Sequence, residues 1–531
     1  MSTTQKKSFI SGAAILTGAV LVTKILGALY KIPLGNLLDS TGMAHFYAAY
    51  NVYTLLLTLS TAGLPPLTSR LVAEAVALGR YRQARRVFTT ALWLLGAMGF
   101  VCTALMFSFP RAAANLLQDG AAWMAIRALS PAVVCVCLVS AVRGYTQGMG
   151  EMTPTAVSQI IESACKLGLG LGLCAFVLRR GGDSATGAAA AIFGVTVGAA
   201  LGLVYLLLIL ALRERRVIAA RPDTPRPRRE ILQQLISGGI PITVAAVGMS
   251  LITLVDQALV LYTLQHTLHH TTAEAVALYG EYTFGMTLFV LPSSFIIPLS
   301  VALMPTLAAE RARGDTASQQ RHIRTALRLT ALLAFPMGVG LSVLAEPILH
   351  LLYPAVPETA AAAAVHLQVL GAASCCVCLM TVTNGILQAL GRERMPVWTL
   401  LVGGAVKVAT TVLLVGDPDI SINGAAWGTL LGYAVIAVLN LLCVRGVSGC
   451  GVGILTSLWR GAFATVVMAL FARGSYGFFS ACMDTSLATV CAIALAAVVY
   501  LVMVLLVGAV RKEDLSHLPM GNKLAKFVPF S

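Results

Sequence analysis

Long apolar stretches recur along almost the whole chain, separated by short polar segments that are rich in arginine. An α-helix needs about 20 apolar residues to cross a hydrocarbon core about 30 Å thick, and these stretches have that length. Backbone groups in lipid must be satisfied within each segment, which favours helices over open strands. The pattern therefore predicts an all-α polytopic membrane protein with about fourteen transmembrane helices. The predicted spans are 9–31, 45–75, 87–109, 121–143, 152–178, 186–212, 232–264, 276–310, 323–352, 362–389, 396–415, 422–444, 453–472 and 484–510.

Three of these spans, the second, seventh and eighth, are longer than a bilayer requires. Each contains proline or glycine, and a proline inside a helix removes a backbone donor and clashes with the preceding turn. We therefore expect bends or breaks in these three helices. The residues concerned are Gly63, Pro65 and Pro66, then Gly238 and Pro241, then Pro292 and Pro298.

Composition supports the membrane class. Of the 531 residues, 58% are hydrophobic and 11% are charged, whereas soluble domains average about 25% charged residues. With the N-terminus placed in the cytoplasm, 24 lysines and arginines fall in cytoplasmic segments and 4 fall outside, which predicts that both termini are cytoplasmic. Because the net charge of +15 is spread over many loops, it excludes a nucleic-acid partner. The twelve cysteines form no pair of Cys-x-x-Cys motifs, so no metal site is expected.

Two sequence markers occur twice in the same order, which indicates an internal repeat. Leu71–Leu92 and Leu307–Leu327 both read Leu-x-Ala-Glu, then glycine, then a basic segment ending in Thr-Ala-Leu. Gly144–Gly150 and Gly385–Gly391 share Gly-x-x-Gln-x-x-Gly. Lys166 follows the first of these glutamines by 19 residues, and Lys407 follows the second by 19.

The repeat predicts two six-helix bundles that insert with the same orientation. We expect them to be related by a pseudo-two-fold axis along the membrane normal, with a substrate site between them near the midplane. The predicted division is an N-terminal bundle at 1–212, a cytoplasmic linker at 213–230, a C-terminal bundle at 231–445, and two extra transmembrane helices with a cytoplasmic tail at 446–531.

Polar side chains on the repeat-equivalent spans 1, 2, 7 and 8 predict the lining of a central cavity. A charge at the bilayer centre costs about 2.5–3.5 kcal/mol, so Lys24 and Lys31 on one helix face indicate a cavity or a partner rather than lipid. The predicted substrate-binding residues are Lys24, Lys31, Tyr47, Asn51, Thr54, Thr58, Ser250, Thr253, Asp256, Gln257, Thr283 and Thr287. Arg70 and Glu74 are the predicted cytoplasmic gate, and no residue is assigned to catalysis or to a metal.

Alternatives remain open for these residues. The serines and threonines could instead bond one helix to another, and Lys31 could extend to the outer interface. Asp256 could balance a lysine, bind a coupling cation, or pair with a lysine in a closed state. Arg70 and Glu74 could be a solvated helix end, and Glu162 could neutralise Lys166 four residues later.

The segments "GAAILTGAVLVTKILGALYKIPLGNLL" and "YNVYTLLLTLSTAGLPPLTSRLVAE" resemble the stage V sporulation protein B branch of polysaccharide-export flippases. That branch belongs to the superfamily that includes MurJ-type lipid II flippases and multidrug and toxin exporters. The resemblance implies an alternating-access flippase in which Lys24 meets a lipid diphosphate and the C-terminal helix pair forms a groove for the lipid tail. Leu57, Thr58 and Thr287 stand where the Gram-negative pattern has arginines, so Lys24 and Lys31 carry more of the anion recognition here.

The leading hypothesis is therefore a flippase for an undecaprenyl-diphosphate-linked saccharide, lipid II or a related cell-wall precursor, with roles in peptidoglycan synthesis or sporulation. It needs no cofactor, and its coupling is to the membrane potential or to a monovalent cation. The expected partners are the lipid-linked substrate, membrane lipids and cell-wall synthesis proteins, and the expected state is a monomer. The alternative is a cation-coupled, MATE-like multidrug exporter. A membrane enzyme would need paired carboxylates or a metal cluster, which the sequence lacks, and a scaffold for wall synthesis is a further alternative.

Overall fold

The computed structural model describes residues 18–19, 22–23, 25–27, 29–217, 223–449 and 453–508. Helices and the turns that join them make up these residues, and none of the described ranges contains a strand. The all-α class predicted from the sequence is confirmed.

Contacts between the helices divide the chain into two compact units, Met1–Gly280 and Glu281–Ser531. The first unit contains α1 (described over 29–37), α2 (Ser40–Thr61), α3 (Leu64–Ala77), α4 (Tyr81–Ser108), α5 (Pro110–Leu116), α6 (Trp123–Gly148), α7 (Thr153–Cys165), α8 (Leu171–Arg179), α9 (Ser184–Val217) and α10 (Arg228–His266). A π-helical segment, Lys166–Gly170, joins α7 to α8, and a 3₁₀ turn, Gly120–Ala122, precedes α6.

The helix that follows, α11 (Thr272–Phe289), crosses the boundary between the units. The second unit continues with α12 (Leu291–Arg313), α13 (Thr316–Val343), α14 (Ala345–Leu352), α15 (Pro357–Ala389), α16 (Arg394–Val415), α17 (Asn423–Ser448), α18 (Gly453–Cys482) and α19 (Thr485–Leu506).

Twelve helical segments among the described residues are long and apolar enough to cross a membrane. They coincide with the last twelve predicted spans. The first predicted span lies mostly outside the described residues, and the second is polar because α2 carries histidine, asparagine, threonines and tyrosines. The count of fourteen therefore stays a prediction.

Two of the predicted helix breaks occur at proline. Span 2 divides after Thr61, and α3 begins at Leu64 with a proline in its first turn, where the missing backbone donor costs nothing. Span 8 divides in the same way between Phe289 and Leu291. Span 7 contains no break, because α10 continues through Pro241.

The two units repeat the same order of packed helices. In the first, α3 and α4 both pack on α6, and α7 and α8 pack on α9; in the second, α12 and α13 both pack on α15, and α16 packs on α17. The glycine that closes each repeated motif has a left-handed backbone, with φ of 84° at Gly150 and 64° at Gly391, a conformation that favours glycine. This shared order supports the internal repeat, and the symmetry relation between its copies stays a prediction.

The grouping by contact differs from the predicted domain division. The sequence assigned α10 to the C-terminal bundle, whereas α10 packs against α2, α3 and α4 of the first unit. Pairing between polar faces of α2 and α10, described below, provides a physical reason. The repeat-based domain boundaries stay a prediction.

Part of the predicted linker is hydrogen-bonded to the start of α4. Arg80, the residue before α4, makes no side-chain cap, and the first backbone donors of a helix need partners. Asp223 supplies them: its two carboxylate oxygens accept hydrogen bonds from the backbone nitrogens of Arg82 at 3.1 Å and Gln83 at 2.9 Å. The backbone nitrogen of Arg226 donates to Gln83 Oε1 at 2.6 Å.

Candidate functional site

Lys31 directs its ammonium towards α2, inside the first unit. Its side chain is half-buried, and Nζ donates a hydrogen bond to the hydroxyl of Tyr47 at 2.9 Å while lying 4.6 Å from that ring's centroid. Tyr47 is itself buried. This contact differs from the outward extension considered for Lys31. Lys24 lies outside the described residues, so its place in the site stays a prediction.

Polar residues of α2 face polar residues of α10 in the first unit. Asn51 Nδ2 donates to Gln257 Oε1 at 2.7 Å, and the hydroxyls of Thr58 and Ser250 are 3.1 Å apart. These bonds join residues about 200 positions apart, so only the tertiary structure could identify the pairs. The Thr58–Ser250 contact also fits the alternative interpretation, in which hydroxyl side chains bond one helix to another.

Thr54 bonds mainly within its own helix, since its hydroxyl donates to the carbonyl oxygen of Tyr50 at 2.7 Å. Such back-bonding satisfies a hydroxyl in an apolar environment. Thr54 and Thr58 nonetheless remain half-buried, and Thr253 on α10 has the same partial exposure. These three residues are therefore only partly enclosed by the rest of the chain.

Asp256 and Gln257 bring the most polar part of α10 into the interior, with exposed fractions of 5% and 0%. Gln257 Nε2 has no hydrogen-bond partner among the described residues, and a buried donor left in this state costs about 1–3 kcal/mol. The structure therefore places an acid and an amide in the interior, and the amide contacts α2 through Asn51.

Thr283 and Thr287 are buried in the second compact unit, where the hydroxyl of Thr287 donates to the carbonyl oxygen of Thr283 at 3.1 Å. The other nine predicted substrate-binding residues that the structure describes all belong to the first unit. They are Lys31, Tyr47, Asn51, Thr54, Thr58, Ser250, Thr253, Asp256 and Gln257.

The predicted gate residues form an ion pair on the surface of α3. Arg70 Nε lies 2.9 Å from a carboxylate oxygen of Glu74, and the two side chains are 75% and 55% exposed. An exposed pair of this kind contributes about 0–1 kcal/mol. Their role as a gate stays a prediction.

For three charged residues of the first unit, the sequence either gave no prediction or predicted a different partner. Arg143 on α6 binds Glu162 at 2.7 Å and Ser158 at 3.0 Å, so Glu162 has a salt-bridge partner that the four-residue spacing to Lys166 did not suggest. Lys166 Nζ lies 5.0 Å from the ring centroid of Tyr30 and 5.1 Å from that of Tyr50. The repeated spacing shared with Lys407 was the signal that could have drawn attention to Lys166.

Comparison with known proteins relates this arrangement to transporters. The chain is 27% identical over 527 residues to stage V sporulation protein B of Bacillus subtilis (strain 168), covering 98% of this chain and 99% of that protein. It is 25% identical over 462 residues to the lipid II flippase MurJ of the same organism, covering 83% of each.

Solved structures share the fold. The inward closed conformation of the lipid II flippase MurJ matches with a TM-score of 0.67 and 13% identity, over 92% of this chain and 98% of that chain. The inward-facing conformation of a multidrug resistance MATE family transporter of the MOP superfamily matches with a TM-score of 0.65 and 16% identity, over 82% and 98%. At such identities the likeness concerns the fold alone.

A family model described as polysaccharide biosynthesis protein matches residues 9–310, which is more than half of the chain. One relative is named a lipid II flippase, and the solved structures that share the fold are a lipid II flippase and a multidrug transporter rather than enzymes. The chain therefore belongs to the polysaccharide biosynthesis protein family, as a multi-pass membrane transporter with the fold of the MOP superfamily.

Proposed function

We propose that this protein is an alternating-access flippase that moves an undecaprenyl-diphosphate-linked saccharide, lipid II or a related cell-wall precursor, across the bacterial cytoplasmic membrane. The similarity to the lipid II flippase MurJ and to stage V sporulation protein B supports this assignment. The observation that carries it is Lys31, whose ammonium is held inside the first unit by Tyr47. Such a cation in an apolar environment is costly unless it serves an anion or a partner.

In this proposal the diphosphate is the group that the protein recognises by charge. An ammonium is a compact charge with three donors and suits phosphate oxygens, so Lys31, with Lys24, would contact the diphosphate. The amide and hydroxyl groups of Asn51 and Thr58 exchange their bonds to α10 for bonds to the saccharide. Because those bonds hold α2 against α10, substrate entry and helix separation are linked.

The transport cycle makes and breaks no covalent bond. The headgroup enters from the cytoplasmic leaflet, the protein passes from inward-open to outward-open, and the headgroup leaves outside. The membrane potential or a monovalent cation drives the return, with Asp256 as the candidate cation ligand. Both termini are cytoplasmic, and a monomer suffices.

The test is flipping of labelled lipid II by the purified full-length protein in vesicles, read as the fraction accessible to a membrane-impermeant quencher. We expect Lys31→Gln to slow flipping roughly 10- to 100-fold, because a charge-assisted hydrogen bond contributes about 1.5–3 kcal/mol. Arg179→Gln removes one charge from the exposed end of α8 and should flip at the wild-type rate. Wild-type flipping by Lys31→Gln would refute the role of Lys31.

Rescue of a bacterial strain depleted of its lipid II flippase tests the substrate class. Growth restored by the wild-type chain, and not by Lys31→Gln at equal abundance, is the expected outcome. Failure of the wild-type chain to rescue, despite insertion at normal levels, would argue for a different lipid-linked saccharide.

A MATE-like multidrug exporter is the second candidate. Two observations favour it: the fold shared with a MATE family transporter and the buried carboxylate of Asp256, since a cationic drug requires an acid. Accumulation of a fluorescent cationic drug in cells that lack their own exporters discriminates the two functions. Drug efflux that depends on Asp256 and not on Lys31 would favour the exporter.

A further inference from the structure

A histidine and an aspartate form a buried pair at the end of the first unit where α2 begins. His45 lies in the second turn of α2, and Asp119 is the residue before the 3₁₀ turn; they are 4% and 1% exposed. Nδ1 of His45 lies 2.8 Å from both carboxylate oxygens of Asp119. The proposed transport cycle uses neither residue.

The geometry of this pair accounts for one bound proton. A single N–H can be directed at only one of the two oxygens, and Oδ1 of Asp119 has no hydrogen-bond partner among the described residues. An ionised carboxylate buried in this way is costly unless a positive charge neutralises it. A protonated imidazole supplies that charge, whereas a neutral one does not. Histidine ordinarily gains and loses its charge between about pH 5 and pH 8.

Two further carboxylates at this end of the unit also favour a positive His45. Asp39 precedes α2 and accepts a hydrogen bond from the hydroxyl of Ser184 at 2.8 Å. Asp183 accepts from the backbone nitrogen and the hydroxyl of Thr186. These bonds, with a smaller contribution from the charge of His45, hold the pKa of the Asp183 carboxyl below its usual range.

The cations on the neighbouring helices each have a contact of their own. Lys31 on α1 donates to Tyr47, Arg111 on α5 lies over Trp123, Arg127 on α6 lies over Phe107, and His266 on α10 stacks on Tyr262. The last three turns of α4 and the first three turns of α9 contain no charged side chain. The charge of His45 therefore acts mainly on Asp119.

The residue before Asp119 connects the pair to α10. Gln118 has a left-handed backbone with φ of 58°, which costs energy for a residue other than glycine. Its carbonyl oxygen accepts a hydrogen bond from Gln265 Nε2, near the end of α10, at 2.8 Å. The next backbone nitrogen, that of Asp119, donates to the carbonyl oxygen of Ala114 at 3.1 Å. The position of the Gln118 carbonyl therefore depends on how Asp119 is held.

We propose that His45 and Asp119 form a proton-binding site that holds the end of α10 against the first unit. With the proton bound, the pair keeps the turn at Gln118 in place, and Gln265 stays bonded to it. Loss of the proton leaves a buried negative charge, so the turn moves Asp119 towards water and Gln265 loses its acceptor. Because the connection between α1 and α2 is predicted to lie outside, acid on the outside keeps α10 attached at this end.

The loop between α10 and α11 supplies a matched control. His270 Nδ1 lies 3.8 Å from a carboxylate oxygen of Glu274, and the two side chains are 34% and 62% exposed. This is also a histidine–carboxylate pair, but water solvates it and screens its charges. His270→Gln therefore removes a titrating histidine from the same end of α10 and leaves the buried pair intact.

The experiment measures the distance between nitroxide labels at Ala112 on α5 and Ala273 on α11, which are both exposed. The labels are attached to a ketone-bearing unnatural amino acid, so the native cysteines stay unchanged. Pulsed electron spin resonance is recorded on the full-length protein in nanodiscs at about pH 5.5 and about pH 8.5. We expect one short distance at the lower pH, and a longer one whose population rises about 10-fold at the higher pH.

Three variants separate the proton site from its connection to α10. His45→Gln and Asp119→Asn remove the site, and each should give the same distances at both pH values. Gln265→Ala leaves the pair intact and removes the bond to Gln118, so it should show the longer distance already at the lower pH. His270→Gln should retain the wild-type response.

Wild-type distances that do not change with pH would overturn the proposal. So would a response that persists in His45→Gln or disappears in His270→Gln, or a single short distance in Gln265→Ala. Size-exclusion profiles and melting temperatures identify variants that do not fold. If His45→Gln does not fold, Asp119→Asn replaces it, and a pH response that persists there overturns the proposal equally. The measurement needs no substrate, so its outcome is independent of lipid flipping.

Discussion

At the scale of single residues, the polar groups of α2 have two different kinds of partner. Thr54 bonds to its own helix, whereas Asn51 bonds to Gln257 across the interface with α10. Loss of the Thr54 hydroxyl leaves no buried side chain without its hydrogen bond. Loss of the Asn51 amide leaves the Gln257 side chain unsatisfied in an apolar environment. The same helix face therefore contains positions that differ greatly in their effect on stability.

Replacement of Asn51 tests this difference. We expect Asn51→Leu to destabilise the first unit by about 1–3 kcal/mol, because the carbonyl of the buried Gln257 side chain loses its donor. Thr54→Val is the control and should change stability by less than about 1 kcal/mol. Thermal unfolding in detergent measures both, and an equal effect of the two variants would contradict the assignment.

At the scale of secondary-structure elements, the start of α4 depends on a residue 140 positions later. Asp223 accepts hydrogen bonds from two backbone nitrogens of that first turn, a cap that helices usually obtain from an adjacent residue. Asp183 shows the usual arrangement: it accepts from the backbone nitrogen and the hydroxyl of Thr186 at the start of α9. These bonds hold the pKa of the Asp183 carboxyl below its usual range.

Removal of the distant cap should free the first turn of α4. We expect Asp223→Ala to cost about 1 kcal/mol of local stability and to raise hydrogen exchange at Arg82 and Gln83. Asp183→Ala should instead raise exchange at the start of α9, which makes it the matched control. Protection of α4 that persists in Asp223→Ala would contradict the capping role.

At the scale of the whole molecule, the distribution of basic residues predicts how the chain is inserted. An excess of lysine and arginine on one side of the spans marks the cytoplasmic side. The connection near Asp183 carries two of the few arginines assigned to the outside, and the connection near Gly314 lies among those assigned to the cytoplasm. The helix ends at these two points are well defined.

Reporter fusions measure this orientation. We expect alkaline phosphatase fused after Gly182 to be active and phosphatase fused after Gly314 to be inactive, because the enzyme folds only outside the cytoplasm. A fluorescent protein at the C-terminus should be bright. The opposite pattern would mean that every loop lies on the side opposite to the one predicted.

Most of the helix order could be predicted from the sequence, and the breaks before α3 and α12 could be as well. Apolar length and proline act locally, so a single segment contains the information. The internal repeat could also be predicted from the sequence, because the Gly-x-x-Gln-x-x-Gly motif and the 19 residues from its glutamine to a lysine occur in each half. For α10 the sequence predicted a bend or a break, and the helix is continuous, since a proline within a long helix does not by itself determine whether the chain breaks or continues.

The candidate site was only partly predictable. The stripe from Tyr47 to Thr58 follows from helical periodicity, so the sequence alone identified that face and the membrane class of the protein. Only the tertiary structure decided that Glu162 binds Arg143, that Asp223 caps α4, and that Lys166 shares a tyrosine with Lys31. Periodicity determines which side of a helix a residue occupies, whereas the partner on that side is set by how distant segments pack.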